Sequence, residues 1–323
     1  MRKRGRFDEL KTETHLHTDE SSRCGKVPAR EMVELYHKAG FKTLFVSDHF
    51  QAKSFDKMGD DLTWEQKVDK LLEGYRAAKE AGDELGMNVI LSVELRLSAL
   101  KNHYLLYGNI DRDFLCARPD IFDMSIEDFS AYAKEHGITV VQAHPLRDGK
   151  CTPTPEFVDG FEVFNPNPRH DNFTPQVLEL AKAHGLAITS GSDAHRYTDI
   201  AHGGVISERE IKTAADYVEL LLAGELKYVS QVIDSRCGLH CSDCAYREKN
   251  NCGGCIETCG HPFHGECPIA VCCQSKGYSH CGECPSLPCE LLTQYSCDPE
   301  CGDKPAGARI DQCKAWKRDS LNT

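Results

Sequence analysis

The sequence predicts an α/β chain that ends in a small cysteine-rich domain, and three observations predict it. From residue 12 to about 232, short apolar runs alternate with amphipathic helical segments. Most of those runs carry ionisable side chains at their exit ends. Fifteen of the 18 cysteines lie between Cys237 and Cys313, and only Cys24, Cys116 and Cys151 precede them. A change in composition this abrupt marks a boundary, so residues 1–232 and 233–323 are expected to fold separately. With 323 residues, 40% of them hydrophobic, the chain has enough apolar surface for a sizeable core.

The strand-like runs are THLHT (14–18), TLFVSDH (43–49), NVILSVE (88–94), HYLLYG (103–108), ITVVQAH (138–144), GFEVFN (160–165) and LAITSGSDAH (186–195). Between them, helices are expected over 28–39, 62–85, 125–136, 174–184 and 207–223. Each is followed by a glycine, namely Gly40, Gly86, Gly137, Gly185 and Gly224, as a left-handed C-terminal cap requires. Thr63 with Gln66, and Ser207 with Glu210, have capping-box spacing at helix starts. About seven strand and helix units suggest an α/β barrel, in which strand ends converge on one mouth. The segment 50–61 reads as part of a lid or as an ordinary connection.

A formal charge of −12 argues against long nucleic acids and anionic membranes as partners. The N-terminal MRKRGRF leads into charged residues without an apolar stretch, and no run approaches the ~20 apolar residues of a membrane span. A cytoplasmic location is therefore expected. In a reducing compartment, clustered cysteines favour metal thiolates over disulfides.

His15 and His17 are two apart on a presumed strand, so both side chains leave the same face and can chelate one ion. Asp48, His49, Glu94, His103, His144, Asp193 and His195 occupy strand ends as well. Imidazoles with carboxylates suit catalytic zinc, manganese or iron, and this set is larger than one ion needs. Two or three ions sharing a bridging carboxylate are expected. Asp48 reads either as a ligand or as a group that orients a ligand histidine.

Taken together, HLHT, SDHF, the glutamate of SVE, the histidine of HYLLYG, AHP and SDAH resemble the motif series of the polymerase and histidinol phosphatase (PHP) family, across residues 12 to 200. The resemblance implies a distorted seven-stranded β/α barrel that hydrolyses phosphate esters. It implies that His15, His17, Glu94 and Asp193 hold one metal, and that Glu94 bridges to a second bound by His103 and His144. A third would use His49 and His195. The family commonly supplies a further ligand in the next loop, which here reads DESSRCG, with Ser22 at the position of a frequent aspartate. Asp19 and Cys24 are the nearby replacements.

In such a centre a metal-activated hydroxide would be the nucleophile. Arg147, Arg169, Arg196 and Arg23 are candidate phosphate clamps, because guanidinium matches phosphate in bidentate fashion. His170 is a candidate leaving-group acid, and Asp48 joins it as a candidate catalytic group. The expected substrate is a small phosphorylated metabolite, a nucleotide or sugar phosphate monoester, with phosphate as product. A phosphodiesterase or exonuclease, an amidohydrolase, and a metal-dependent scaffold or redox sensor are the rival readings.

In the tail, CGLHCSDC, CGGC, CGEC and CDPEC give x2 and x3 gaps that present paired thiolates to an ion. The candidate structural ligands are Cys237, Cys241, Cys244, Cys252, Cys255, Cys259, Cys267, Cys272, Cys273, Cys281, Cys284, Cys289, Cys297 and Cys301. His240, His261, His264 and His280 are possible substitutes. Zinc fits this spacing, and an iron–sulfur cluster is the alternative suggested by CPIAVCC and the prolines after Cys267 and Cys284. This region also resembles a prokaryotic cysteine-rich domain of unknown function, which implies metal binding.

Overall fold

In the computed structural model, residues 10–320 are described except 168, 171, 230–234, 242, 243, 245, 247, 248, 251 and 279. The expectation at MRKRGRF lies outside them. The chain divides into two compact units, Met1–Val229 and Ser230–Thr323.

All seven expected runs contain strand in the first unit. They are β1 (Leu10–Leu16), β2 (Phe41–Val46), β4 (Asn88–Leu91), β6 (His103–Gly108), β7 (Ile138–Ala143), β8 (Gly160–Phe164) and β9 (Ala187–Ser190). Two runs break at their polar ends and add β3 (His49–Gln51) and β5 (Val93–Arg96). Two strands not read from the sequence, β10 (Val205–Ser207) and β11 (Lys227–Tyr228), extend the edge beside β1. Hydrogen bonding arranges the strands as two sheets, in the orders β11-β10-β1-β2-β4 and β3-β5-β6-β7-β8-β9. At their margins, Ser92 N donates to Val46 O at 2.9 Å and Leu16 forms an isolated parallel bridge with Ala194.

β6 runs antiparallel to both β5 and β7, with His103 opposite Ala143. A histidine that opens β6 therefore lies at the same end as the residues that close its neighbours. This explains why HYLLYG alone carries its ionisable group first.

Helices cover the sheets with their apolar faces. Ala29–Lys38, Ile126–Glu135 and Thr174–His184 agree with expectation within about a turn. The helix expected over 62–85 is instead two, Trp64–Leu71 and Glu73–Leu85, meeting at Leu72. The helix expected over 207–223 begins only at Ala214, because Ser207 ends β10 opposite Leu10. Its capping box is Thr213 with Asp216, not Ser207 with Glu210. All five predicted glycines adopt positive φ, from 64° at Gly185 to 80° at Gly40.

Within the segment 50–61, Phe50 and Phe55 are buried with Phe122 against a partly buried Trp64, with ring centroids 4.8 Å apart for Phe50–Phe122 and for Phe55–Trp64. Packing of this kind makes its first half a fixed connection. A second aromatic group, Phe45, Tyr107 and Tyr217, fills the interior below the strand ends, and Tyr107 Oη donates to Thr14 O at 3.0 Å.

Among the described residues, the second unit packs the helices Gly254–Glu257, Pro268–Ser275, Glu290–Ser296 and Ala308–Ser320 around Ile269, Leu292, Ile310 and Trp316. Cys237, Cys273, Cys281 and Cys313 share that small core. None of the 18 cysteines is in a disulfide. No described helix is long and apolar enough to cross a membrane.

Candidate metal centre

The strand ends bring His15, His17, Glu94 and Asp193 together, all of them buried. His15 Nε2 lies 3.1 Å from His17 Nε2, 3.4 Å from Glu94 Oε1 and 3.4 Å from Asp193 Oδ1. His17 Nε2 is 3.4 Å from Asp193 Oδ1 and 3.7 Å from Glu94 Oε2. Four donors bound at 2.0–2.2 Å around a tetrahedral ion are about 3.3–3.6 Å apart, and these five edges, from 3.1 to 3.7 Å, lie close to that range. Glu94 also meets His103 Nδ1 at 3.0 Å and His144 Nε2 at 3.1 Å through Oε1. His49 Nδ1 is 2.6 Å from Glu94 Oε2, and the His17 ring lies 4.2 Å from those of both His49 and His195.

Glu94 Oε2 and Asp193 Oδ2 are buried with His49 Nδ1 and Arg147 Nη2 each 2.6 Å away but outside hydrogen-bond geometry, and His144 Nδ1 is buried without a hydrogen bond among the described residues. Buried groups left short of hydrogen bonds are costly unless something else satisfies them. Their chemistry and spacing fit divalent cations. Backbone strain points to the same place, since His144 (φ 34°) and Asp193 (φ 50°) both sit in the left-handed region.

Without an ion the electrostatics are polarised. Burial opposes charge on His15, but the carboxylates of Glu162, Asp193 and Glu94 outweigh it and raise its pKa well above normal. For His49 burial is likewise overcome by Glu94, and the pKa rises to about 10. Burial lowers His144 to about 4, with the charge of Arg147 acting in the same direction.

Several residues that organise the site carry no motif. Glu162, central in β8, accepts from His15 Nδ1 at 2.8 Å through Oε1, and from Asn165 Nδ2 at 2.8 Å and His144 N at 3.2 Å through Oε2. Glu13 is fully buried and accepts from the backbone N–H groups of Thr14, His15 and Ser192 at 2.9 Å each, and from Tyr36 Oη at 2.7 Å. It ties β1 to the SDAH loop. Gly191 lets that loop close, because a Cβ there would lie 2.5 Å from His15 Cβ.

Asp48 accepts from Thr18 N and Ser22 Oγ on Oδ1, at 2.8 and 2.6 Å, and from Thr18 Oγ1 on Oδ2 at 2.7 Å. Its oxygens thus hold the loop after HLHT beside the histidines. Burial raises its pKa to about 6 against those bonds.

The cluster opens into a cavity of about 430 Å³. Arg147, Arg169, Arg196 and His170 line it, and Arg23 is exposed outside its lining. Arg147 Nη2 is 2.6 Å from Asp193 Oδ2. Both terminal nitrogens of Arg169 pair with Asp199, and His170 Nδ1 contacts Asp148 Oδ2 at 3.0 Å. Arg96, Lys101 and Lys150, unremarkable in the sequence, also reach the wall. Six cations around one opening give a −12 chain a local attraction for anions.

In the tail, Cys237, Cys241, Cys244, Cys252, Cys255, Cys267 and Cys301 line a cavity of about 420 Å³. Cys272, Cys273, Cys281, Cys284 and Cys289 line a smaller one of about 20 Å³. Cys259 and Cys297 are exposed and border neither.

Known proteins are similar to this chain in fold and in two stretches of sequence. The chain shares the fold of a two-domain protein from Bacteroides vulgatus containing a predicted PHP-like metal-dependent phosphoesterase, with TM-score 0.50 and 16% identity over 68% of this chain. It spans 64% of that protein's length. PsfC from Pseudomonas syringae gives TM-score 0.49 at 19% identity over 68% of this chain and 91% of its own. A protein from Bifidobacterium adolescentis assigned as a metal-dependent phosphoesterase gives 0.40 at 18% over 66% and 95%. No curated protein matches the sequence. Two family models do. Residues 174–226 match the PHP-associated family, and residues 233–294 match a protein family of unknown function, DUF3795. Both resemblances read from the sequence are thereby met.

Proposed function

We propose that the first unit is a PHP-type hydrolase of phosphate esters, acting on a small phosphorylated metabolite at a centre of two or three divalent ions. The observation that carries this reading is the shell of donor atoms 3.1 to 3.7 Å apart formed by His15, His17, Glu94 and Asp193. We assign His103 and His144 with Glu94 to a second ion, and His49 with His195 to a third. Zinc, manganese or iron bound there would supply a hydroxide at neutral pH and neutralise phosphoryl charge.

The chain's own groups do the rest. Glu162 holds the tautomer of His15, with the proton on Nδ1 and Nε2 free to ligate. Arg147, held at Asp193, and Arg196 on the cavity wall are placed to receive phosphoryl oxygens. The Arg169 fork is committed to Asp199, so we assign it to loop positioning first. His170 borders the cavity and is the proposed acid. Asp48 acts by positioning.

A cavity of about 430 Å³ suits a metabolite-sized ligand. We read the two sheets as one distorted barrel, supported by the Leu16–Ala194 bridge and the Ser92–Val46 bond. The division at Val229 supports the domain boundary near 232. The second unit is proposed to bind structural zinc, or an iron–sulfur cluster, through the cysteines around its two cavities.

Turnover of p-nitrophenyl phosphate compared with its bis ester tests the reading. Preference for the monoester supports it; preference for the diester supports a phosphodiesterase on the same centre. Hydrolysis of neither, with turnover of a cyclic amide, would replace it by an amidohydrolase.

A further inference from the structure

We infer that Cys24 supplies a thiolate to the ion held by His49 and His195, making the third position a soft site selective for zinc-like ions. This rests on the multi-ion reading above and deepens it. Cys24 Sγ lies 3.1 Å from His49 Nε2, and His195, whose ring is 5.6 Å from that of His49, lines the same cavity as Cys24. Sulfur and nitrogen donors on one tetrahedral zinc, at 2.3 and about 2.05 Å, are about 3.6 Å apart, so ion entry needs a shift of only half an ångström.

The loop that carries the thiol is built, not loose. Ser22 N donates to Thr18 O at 3.0 Å, Gly25 N to Ser22 O at 2.7 Å, and Lys26 N to His195 O at 2.8 Å. A Cβ on Gly25 would strike Thr18 O at 2.5 Å, so the tight turn depends on that glycine. Ser22, the expected ligand position, spends its hydroxyl on Asp48 at 2.6 Å and accepts from His49 N at 3.0 Å. Asp19 is exposed and lies outside the cavity lining, whereas Cys24 belongs to it. The ligand has moved two residues along the loop and changed from oxygen to sulfur.

Hard ions such as magnesium and manganese favour carboxylate, and thiolate with two imidazoles favours zinc, cobalt or iron. One position of the centre is thereby given a metal preference of its own.

The test uses the full chain, zinc-loaded and chelator-stripped, with iodoacetamide labelling followed by peptide mapping, so that Cys24 is read apart from the tail thiols. Cys24 should alkylate at least about tenfold more slowly in the loaded protein, because ligation occupies the thiolate. His195→Ala should abolish that protection. Cys24→Ser should lose one equivalent of zinc with the tail unchanged. Cys24→Asp should recover the ion while shifting zinc and manganese competition toward manganese. Equal alkylation in both states, or undiminished zinc in Cys24→Ser, overturns the inference. In that event, zinc loss on replacing His15 and His17 would show that the two-ion reading still stands.

Discussion

Glu162→Gln isolates a residue whose only proposed task is to orient a ligand. The carboxylate is buried, nearly isosteric with the amide, and bonded on one oxygen to His15 Nδ1 at 2.8 Å. Its other oxygen must keep accepting from Asn165 Nδ2 and His144 N, so the new amide oxygen is claimed on that side. The amide nitrogen then faces His15 Nδ1 and donates to it. The imidazole proton is driven to Nε2, the atom aimed at His17, Glu94 and Asp193. Loss of such orienting bonds costs about 10- to 100-fold in metal affinity, or about 1.4–2.7 kcal/mol, and the forced tautomer places this case at the upper end. Competition with a chromophoric chelator measures it, with the tail's metal content as the internal control. Affinity within about twofold of wild type would refute the argument that this bond sets the ligand geometry.

Further outcomes follow from the same geometry. His15→Ala with His17→Ala should abolish phosphatase turnover while leaving the tail metalated; unchanged turnover would favour a scaffold role. Since Glu94 outweighs burial and holds His49 at about 10, that imidazole is protonated in the metal-free chain at neutral pH. Each ion that displaces one such proton gains affinity as pH rises, by about tenfold per unit up to that pKa, so calorimetry in buffers of different ionisation enthalpy should detect proton release. A flat affinity from pH 6 to 9 would contradict it. Gly191→Ala, crowding His15 Cβ at 2.5 Å, should destabilise by about 1–3 kcal/mol in thermal denaturation and weaken metal binding. Phe50→Ala should cost about 3–5 kcal/mol by opening the Phe55, Trp64 and Phe122 cluster, without changing kcat in the surviving fold.

The candidate metal constellation was legible because ligands of such a centre would sit at strand ends, and strands announce themselves by apolar runs with polar exits. His15, Glu94, His144 and Asp193 all met that rule, and His103 met it once β6 was seen to run the other way. Glu162 and Glu13 escaped because Glu162 lies in the middle of its run and Glu13 just ahead of THLHT, where a lone acid looks like solvent-facing alternation. Their clue is that both strands are buried on all sides, leaving no solvent for an acid to face. The false helix start at Ser207 arose because a Ser-x-x-Glu spacing recurs by chance, whereas β10 is fixed by pairing with a strand nearly 200 positions away. Arg96, Lys101 and Lys150 form a rim only through tertiary folding. Cysteine spacing marked the tail thiols as candidate ligands but not which of them share a cavity, since that depends on the irregular path between knuckles.

Anomalous diffraction from crystals of the zinc-loaded protein tests the central claim most directly. The account predicts one ion among His15, His17, Glu94 and Asp193, and a second between Glu94, His103 and His144. A catalytically competent crystal with neither position occupied would contradict it.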